Sequence, residues 1–259
     1  MKFKEERPLY ILMELATILR KKCPWDKEQT SETLKPYLIE EAYEAYEAIE
    51  ATDKIHMKEE LGDLLYQVYA HAEIAREEKN FTIDDVALGI IEKLVRRHPH
   101  VFGDEEVNDK HEVIRNWEII KKEEKNHRES MLDGVPKHLP ALHKAYRIQQ
   151  KAARVGFDWE KKEDIIKKLD EEIAEFKEVI SQTNKEKIKE EAGDILFSIV
   201  NILRFMEINP EEALSSATQK FIRRFRHIEL EALKDNKKLS DMTLEEMDKL
   251  WDKAKASLG

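Results

Sequence analysis

Residues 59–66 read EELGDLLY, and residues 190–197, which lie 131 positions further along the chain, read EEAGDILF. Five of these eight positions are identical. Each stretch follows a second acidic pattern, EEAYE at 40–44 and EEIAE at 171–175. Carboxylates spaced three or four residues apart lie on one face of a helix, where like charges repel. The sequence therefore predicts a duplicated fold in which each copy pairs two acidic helices and places a cation between them.

The composition indicates the same class of fold. The 259 residues include only seven glycines and seven prolines, and 39% are charged. Abundant Leu, Glu, Lys and Ala favour helices, and the length allows two domains of ordinary size. We expect an all-α protein with two tandem helical bundle domains, at 1–132 and 141–259. The linker is expected at 133–140, where DGVP and LP interrupt the helical pattern.

The charge and the single cysteine limit the function classes. A formal net charge of −10 argues against a general nucleic-acid-binding protein, which usually carries a basic surface. With Cys23 alone the chain has no internal disulfide, which fits a reducing compartment. No segment approaches eighteen uninterrupted apolar residues, so we expect no membrane segment and a cytoplasmic protein.

Apolar periodicity and capping signals give the approximate helices. Thr82 is the expected N-cap of a helix that ends before Pro99, and a charged helix follows to about residue 128. Gly62 and Gly193 recur inside helices, where glycine costs up to about 1 kcal/mol, so we expect another helix or a ligand to approach them closely. The other expected helices cover about 8–22, 33–51 and 54–79, then 141–154, 162–181 and 184–208.

The repeated carboxylates are candidate metal ligands. A single glutamate run in a chain this charged is usually a solvated helix face, but its recurrence next to apolar residues favours a binding site. Oxygen ligands without His or Cys suit Mg²⁺ or Mn²⁺, and Mg²⁺ sites commonly include substrate phosphates. A di-iron bundle would need Glu-x-x-His motifs, and the match from Glu124 to His127 lies in a lysine-rich helix. The candidate ligands are Glu41, Glu44, Glu60 and Asp63 in the first copy, and Glu172, Glu175, Glu191 and Asp194 in the second.

A phosphorylated ligand also requires cations, and both copies supply them. Arginine can bind phosphate through two hydrogen bonds, whereas lysine acts as a point charge. Each copy ends in a helix with one tryptophan, Trp117 or Trp251, which could stack on a base or pack within its own bundle. The candidate cations are Lys58, Lys93, Arg96 and Arg97 in the first copy, and Lys187, Lys189, Lys220, Arg223 and Arg224 in the second.

Taken together, these motifs resemble the MazG family of nucleoside triphosphate pyrophosphohydrolases over essentially the whole chain. In the first half the resemblance rests on CPWD at 23–26, on both acidic motifs and on RRHPHVF at 96–102. In the second half it rests on GFDW at 156–159, on Lys220 to Phe225 and on the segment from Leu244 to Trp251. The resemblance implies two MazG domains with the all-α pyrophosphohydrolase fold, homodimerisation, and Mg²⁺-dependent cleavage of nucleoside triphosphates with broad base specificity.

The same resemblance assigns roles to residues. It implies that the C-terminal carboxylates Glu172, Glu175, Glu191 and Asp194 bind metal. As a separate mechanistic hypothesis, we expect Glu171 or Glu175 to orient the attacking water. The N-terminal copy keeps its carboxylates and is a second possible site, with Lys58, Lys93, Arg96, Arg97 and Trp117 as its nucleotide contacts. A non-catalytic nucleotide-binding or regulatory module is the alternative. The implied C-terminal nucleotide contacts are Lys168, Glu171, Lys187, Lys189, Glu190, Lys220, Arg223, Arg224 and Trp251.

Overall fold

The computed structural model describes residues 7–124 and 130–258. The chain divides into two compact units, Met1–Asn126 and His127–Gly259. All regular structure in the described residues is helical, which confirms the all-α prediction. No helix in these ranges is both long enough and apolar enough to cross a membrane.

The first unit is organised around two long helices. Helices α3 and α4 pack along each other, α1 packs on α2 and α4, and α5 contacts α4, α6 and α7. The predicted charged helix begins at Lys110 as expected, and its last expected residues, 125–128, lie outside the described ranges. The helices are α1 (Pro8–Lys22), α2 (Pro24–Glu28), α3 (Ser31–Glu50), α4 (Lys54–Glu77), α5 (Ile83–Arg97), α6 (Pro99–Phe102) and α7 (Lys110–Glu123).

The second unit repeats this arrangement. Helices α9 and α10 pack along each other, α8 packs on α10 and α11, and α11 contacts α10 and α12. A short 3₁₀ turn, Leu239–Asp241, precedes α12. The helices are α8 (Ala141–Ala153), α9 (Lys162–Val179), α10 (Lys185–Phe205), α11 (Pro210–Lys234) and α12 (Leu244–Leu258).

Equivalent caps fix the starts of equivalent helices. Asp53 caps α4 by accepting hydrogen bonds from the backbone N–H groups of Ile55 and His56, at 3.0 and 3.1 Å. Asn184 lies 131 positions later and caps α10 through the N–H of Lys187, at 3.3 Å. The residue types differ, but each supplies a side-chain oxygen that satisfies an otherwise unpaired helical donor. The predicted repeat is therefore visible in the local chemistry of the fold.

The start of α3 differs slightly from the prediction. The helix begins at Ser31 rather than near Thr33. The Thr33 N–H donates to the Thr30 hydroxyl at 3.2 Å, and the Thr30 N–H donates to the Thr33 hydroxyl at 2.9 Å. This reciprocal capping box satisfies two donors and extends the helix by two residues, with Pro36 tolerated in its second turn.

The expectation that another helix approaches Gly62 and Gly193 closely is wrong for the described residues of both units. A methyl group built at either position would meet no heavy atom within 4 Å outside the adjacent backbone. Both glycines lie on faces of the acidic helix pairs that no other described helix of the same unit covers. The buried apolar core lies elsewhere and in the first unit includes Leu34, Ala70 and Ile74.

Candidate functional site

Three carboxylates converge between α3 and α4 in the first unit. One oxygen each from Glu41, Glu60 and Asp63 lies within 4.8 Å of the other two. Glu60 is buried, and its Oε1 atom lies 2.8 Å from Nε2 of His56, one turn earlier on α4. Glu44, a predicted fourth ligand, is not in this close group. We call Glu41, Glu60 and Asp63 the N-terminal cluster.

The electrostatics of the N-terminal cluster favour a bound cation. Burial raises the pKa of Glu41 above its ordinary value of 4.5, and the charges of Asp63, Glu44 and Glu60 raise it further. A hydrogen bond from the side chain of Gln67 acts in the opposite direction. Adjacent carboxylates that disfavour one another's ionised form would be stabilised by a positive ion between them.

The second unit assembles a related group between α9 and α10. One oxygen each from Glu172, Glu175 and Glu191 lies within 4.8 Å of the other two, and we call these residues the C-terminal cluster. Burial raises the pKa of Glu191, and the negative charges of Glu175 and Asp194 add to that shift. Asp194, the predicted fourth ligand, acts on Glu191 electrostatically but is not in the close group.

Lys168 forms ion pairs at one side of the C-terminal cluster. The Lys168 ammonium lies 2.8 Å from Oε1 of Glu171 and 2.8 Å from Oε1 of the buried Glu172. The hydrogen bond to Glu171 is the largest cause that raises the pKa of Lys168, and the hydrogen bond to Glu172 is the next largest. The Lys168 side chain therefore stays charged. The equivalent position in the first unit is Tyr37. A permanent cation therefore borders the C-terminal cluster, and the first unit has no charged side chain at the matching place.

Both clusters fit a hard divalent cation. The converging donors are carboxylate oxygens only, which suits Mg²⁺ or Mn²⁺ better than zinc. In the N-terminal cluster a further oxygen is available, because Oε1 of the buried Gln67 has no hydrogen-bond partner while the same side chain bonds Glu41. Buried polar atoms in folded proteins are rarely left without a partner, so this atom indicates a ligand or an ordered water.

The predicted arginines of the first unit bind an acid of the same unit. Glu124 accepts a hydrogen bond from Nε of Arg96 at 2.7 Å and from Nε of Arg97 at 3.1 Å. The hydrogen bond from Arg97 is the largest cause that lowers the pKa of Glu124 to about 2. The Arg97 guanidinium also lies 5.3 Å from the centre of the Trp117 ring. Trp117 thus packs against an arginine whose charge is already neutralised.

The matching helix of the second unit keeps the arginine–tryptophan contact. The Arg224 guanidinium lies 5.7 Å from the centre of the Trp251 ring, and Phe221 packs on the same ring at 5.1 Å. Lys220 and Arg223 are exposed, and no hydrogen bond or ion pair joins either of them to another described residue. The position equivalent to Glu124, counted from the tryptophans, is Leu258.

The remaining predicted contacts lie on the surface of the acidic helices. Lys58 on α4 is exposed, as are Lys187, Lys189 and Glu190 on α10. Of these, the Lys187 charge lowers the pKa of Glu191, whereas the Glu190 charge raises it. No described hydrogen bond or ion pair connects Lys93, Lys220 or Arg223 to a carboxylate cluster.

The sequence analysis missed three residues that contribute to these sites. His56 and Gln67 lie four residues before Glu60 and four residues after Asp63, so helical spacing alone could have placed them on the ligand face of α4. Glu124 gave no such signal. In the sequence, Glu124 forms a Glu-x-x-His match with His127, which lies outside the described residues. Its contact with Arg96 and Arg97 on α5 depends on tertiary structure, which spacing does not predict.

Comparison with known proteins gives a consistent result. Residues 29–102 and 160–229 match the family described as MazG nucleotide pyrophosphohydrolase domain. The chain is 47% identical to the nucleoside triphosphate pyrophosphohydrolase/pyrophosphatase MazG of Thermotoga maritima over 93% of this chain and 94% of that protein. It is 42% identical to the nucleoside triphosphate pyrophosphohydrolase of Escherichia coli K12 over 90% of each chain.

A third relative is longer. The chain is 54% identical to the uncharacterized protein YabN of Bacillus subtilis over 90% of this chain but only 48% of that protein. This chain therefore spans about half the length of YabN.

Proposed function

Because this chain belongs to the MazG nucleotide pyrophosphohydrolase family, we propose that it hydrolyses nucleoside triphosphates between the α and β phosphates. The products are a nucleoside monophosphate and pyrophosphate. The observation that carries the proposal is the convergence of Glu172, Glu175 and Glu191 within 4.8 Å beside the charged Lys168. The names of the relatives from T. maritima and E. coli support the same reaction class.

Glu172, Glu175 and Glu191 would hold Mg²⁺, or Mn²⁺ in its place. Asp194 lies outside this close group and remains the fourth ligand that the sequence predicts. When bound, such a cation binds phosphate oxygens and stabilises the charge that develops on them. The carboxylates themselves cannot attract a triphosphate, because both carry negative charge. Lys168, which borders the cluster, and the other predicted contacts would supply that attraction. Those other contacts are Lys187, Lys189, Lys220, Arg223 and Arg224.

Glu175 is the better candidate to orient the attacking water. Glu171 is held in an ion pair by Lys168, whereas Glu175 is exposed and belongs to the C-terminal cluster. In the proposed step the water oxygen forms a bond to the α-phosphorus, and the bond from that phosphorus to the α–β bridging oxygen breaks. Pyrophosphate leaves with the bonding electrons, and the proton of the water passes to a carboxylate or to solvent. Trp251 is a platform on which any base can stack, consistent with broad base specificity.

The proposal includes a homodimer that acts in the cytoplasm, where it removes aberrant nucleotides or lowers a regulatory one. Apolar side chains on the outer face of α3 support association with a second copy. Ile39, Tyr43 and Ile49 are 53–55% exposed there, and Leu196 and Phe197 on α10 are 54% and 46% exposed. Clusters of exposed apolar residues commonly mark protein interfaces. Sedimentation velocity should give twice the chain mass, and a monomer would contradict this part of the proposal.

Product analysis in ¹⁸O-labelled water tests the proposed reaction. Purified protein is incubated with Mg²⁺ and ATP. The products are separated by ion-exchange chromatography, and their masses are measured by mass spectrometry. We expect AMP that carries one ¹⁸O atom and unlabelled pyrophosphate. ADP with orthophosphate would contradict the cleavage site, and label in pyrophosphate would contradict attack at the α-phosphorus.

A non-catalytic role is the second candidate, and one observation favours it for the first unit. Arg96 and Arg97 bind Glu124 there, so two of the predicted phosphate contacts of the first unit already have an acidic partner. That unit could bind a cation, or a nucleotide with lower affinity, through Glu41, Glu44, Glu60 and Asp63 without turnover. It would then be a regulatory module joined to the catalytic one.

A further inference from the structure

Gln67 is a buried residue beside the N-terminal cluster whose side-chain amide makes a hydrogen bond through only one of its two polar atoms. Its amide group bonds the Glu41 carboxylate, whereas Oε1 has no hydrogen-bond partner. The residue is 8% exposed, so water does not readily satisfy that oxygen. A buried acceptor without a partner has lost its hydration without compensation, and folded proteins usually avoid that arrangement.

The position of Gln67 indicates what the missing partner is. It lies on α4 one turn beyond Asp63, about 6 Å along the helix axis, on the side that faces Glu41. A partner for Oε1 must donate a hydrogen bond or be a cation, and the group of three carboxylates beside it attracts cations. Mg²⁺ and Mn²⁺ held by a few carboxylates keep several water ligands, and each of those waters is a strong donor.

We propose that Gln67 belongs to the N-terminal cation site, where Oε1 accepts a hydrogen bond from a water molecule bound to the cation while the amide nitrogen holds Glu41. Gln67 is therefore a positioning residue in a site of four side chains, with Glu41, Glu60 and Asp63 as the ligands. The inference rests on the proposed metal-dependent function, but it concerns cation binding in the first unit and does not require turnover there.

The second unit has no glutamine at the position that matches Gln67. Position 198, which matches Gln67, is a buried serine, whose side chain is too short to span the same distance. If Gln67 has the proposed role, the two clusters differ in the groups that surround the bound cation even though their carboxylates match. The N-terminal cluster is then specialised to hold a hydrated cation.

Manganese binding to the full-length chain tests the inference. The background variant carries Glu175→Ala and Glu191→Ala, which removes two ligands of the C-terminal cluster. Binding of Mn²⁺ alone is followed by electron paramagnetic resonance of the free ion and by the rise in melting temperature that Mn²⁺ causes. We expect one bound Mn²⁺ in the background variant. We expect Gln67→Met to weaken its binding about tenfold, in the range seen when groups that orient metal ligands are removed.

Two further variants separate the proposed role from a structural one. Gln67→Glu keeps an acceptor oxygen and adds negative charge, so it should bind Mn²⁺ at least as tightly as the background variant. Gln149→Leu removes another buried glutamine whose Oε1 lacks a partner, but this one donates to the Phe197 carbonyl at 2.8 Å. It should lower the melting temperature with and without Mn²⁺ by the same amount and leave the affinity unchanged.

Three results would overturn the inference. The first is the absence of Mn²⁺ binding in the background variant. The second is an unchanged affinity in Gln67→Met. The third is an equal loss in Gln67→Met and Gln67→Glu, which would mean that the side chain only orients Glu41. The native chain's hydrolysis of nucleoside triphosphates is measured separately, so a failure of the proposed reaction would be distinguishable from each of these results.

Discussion

The two acidic helix pairs of this protein have the same helical arrangement and most of the same carboxylates. They differ in the partners that the nearby basic side chains bind. In the first unit His56 pairs with the buried Glu60, and Glu124 binds Arg96 and Arg97. In the second unit Lys168 borders the cluster, and Lys220 and Arg223 on α11 are exposed and form no ion pair with another described residue. The comparison shows that the duplication kept the carboxylates of both copies, and we propose that the availability of the surrounding charge determines which copy binds a phosphate chain.

The largest expected difference between the units is in turnover. Glu175→Ala should reduce the rate of pyrophosphate release about 100-fold or more, because it removes a carboxylate from the proposed catalytic cluster. The matched change in the first unit, Glu44→Ala, should retain most of the rate. Initial rates are measured with ATP and Mg²⁺ by ion-exchange chromatography, with circular dichroism as a check of helical content. A reversal of the two results would assign catalysis to the first unit.

The second expected effect is on nucleotide affinity. Glu124→Gln should increase the affinity of the first unit for a triphosphate about tenfold, because it removes the charge that neutralises Arg96 and Arg97. Calorimetry with a non-hydrolysable nucleotide in the Glu175→Ala, Glu191→Ala background would measure it. Glu231→Gln, which breaks an exposed pair with Lys234, is the charge-matched control and should have no effect. Equal affinity in the Glu124→Gln and Glu231→Gln variants would show that Glu124 does not compete with phosphate.

The third effect is the pH dependence of stability that Glu124 causes. Its folded-state pKa of about 2 lies below the ordinary value of 4.5, so its contribution is complete above about pH 4.5 and is lost as the pH falls towards 2. Glu124→Gln should therefore destabilise the protein by about 1–2 kcal/mol at pH 7 and by much less at pH 3. Urea unfolding of both proteins at the two pH values measures the difference. A constant difference would contradict the ion-pair account.

The smallest expected effect concerns the two glycines. Gly62→Ala and Gly193→Ala should each stabilise the isolated chain by up to about 1 kcal/mol, because alanine favours helix and neither position is crowded. Thermal unfolding at low protein concentration measures this effect. If one variant gains stability and the other loses it, something covers only one of the two faces, and that result would distinguish the units further.

Much of the fold could be predicted because its determinants are local. Apolar spacing together with Thr82 at a helix start predicted the main helices to within a few residues, and the internal repeat predicted that the second half would follow the first. The recurrence of Glu41, Glu60 and Asp63 at fixed spacing in the second half is enough to indicate two carboxylate sites from the sequence alone.

The details of the site could not be predicted in the same way. Whether Glu44 or Asp63 joins the close group depends on side-chain positions that spacing alone does not determine. The pairing of Glu124 with Arg96 and Arg97 joins residues 27 and 28 positions apart. Gly62 was expected to be crowded because glycine in a helix commonly indicates close packing, and the structure shows open space there instead.

The number of nucleotides that one chain binds tests the central claim most directly. An α,β-methylene nucleoside triphosphate resists the proposed cleavage, so calorimetry in the presence of Mg²⁺ reports binding alone. We expect one tight site per chain, lost in the Glu175→Ala, Glu191→Ala variant and retained in the matched Glu44→Ala, Glu60→Ala variant. Two equal sites, or loss of the tight site in the second variant only, would contradict the account.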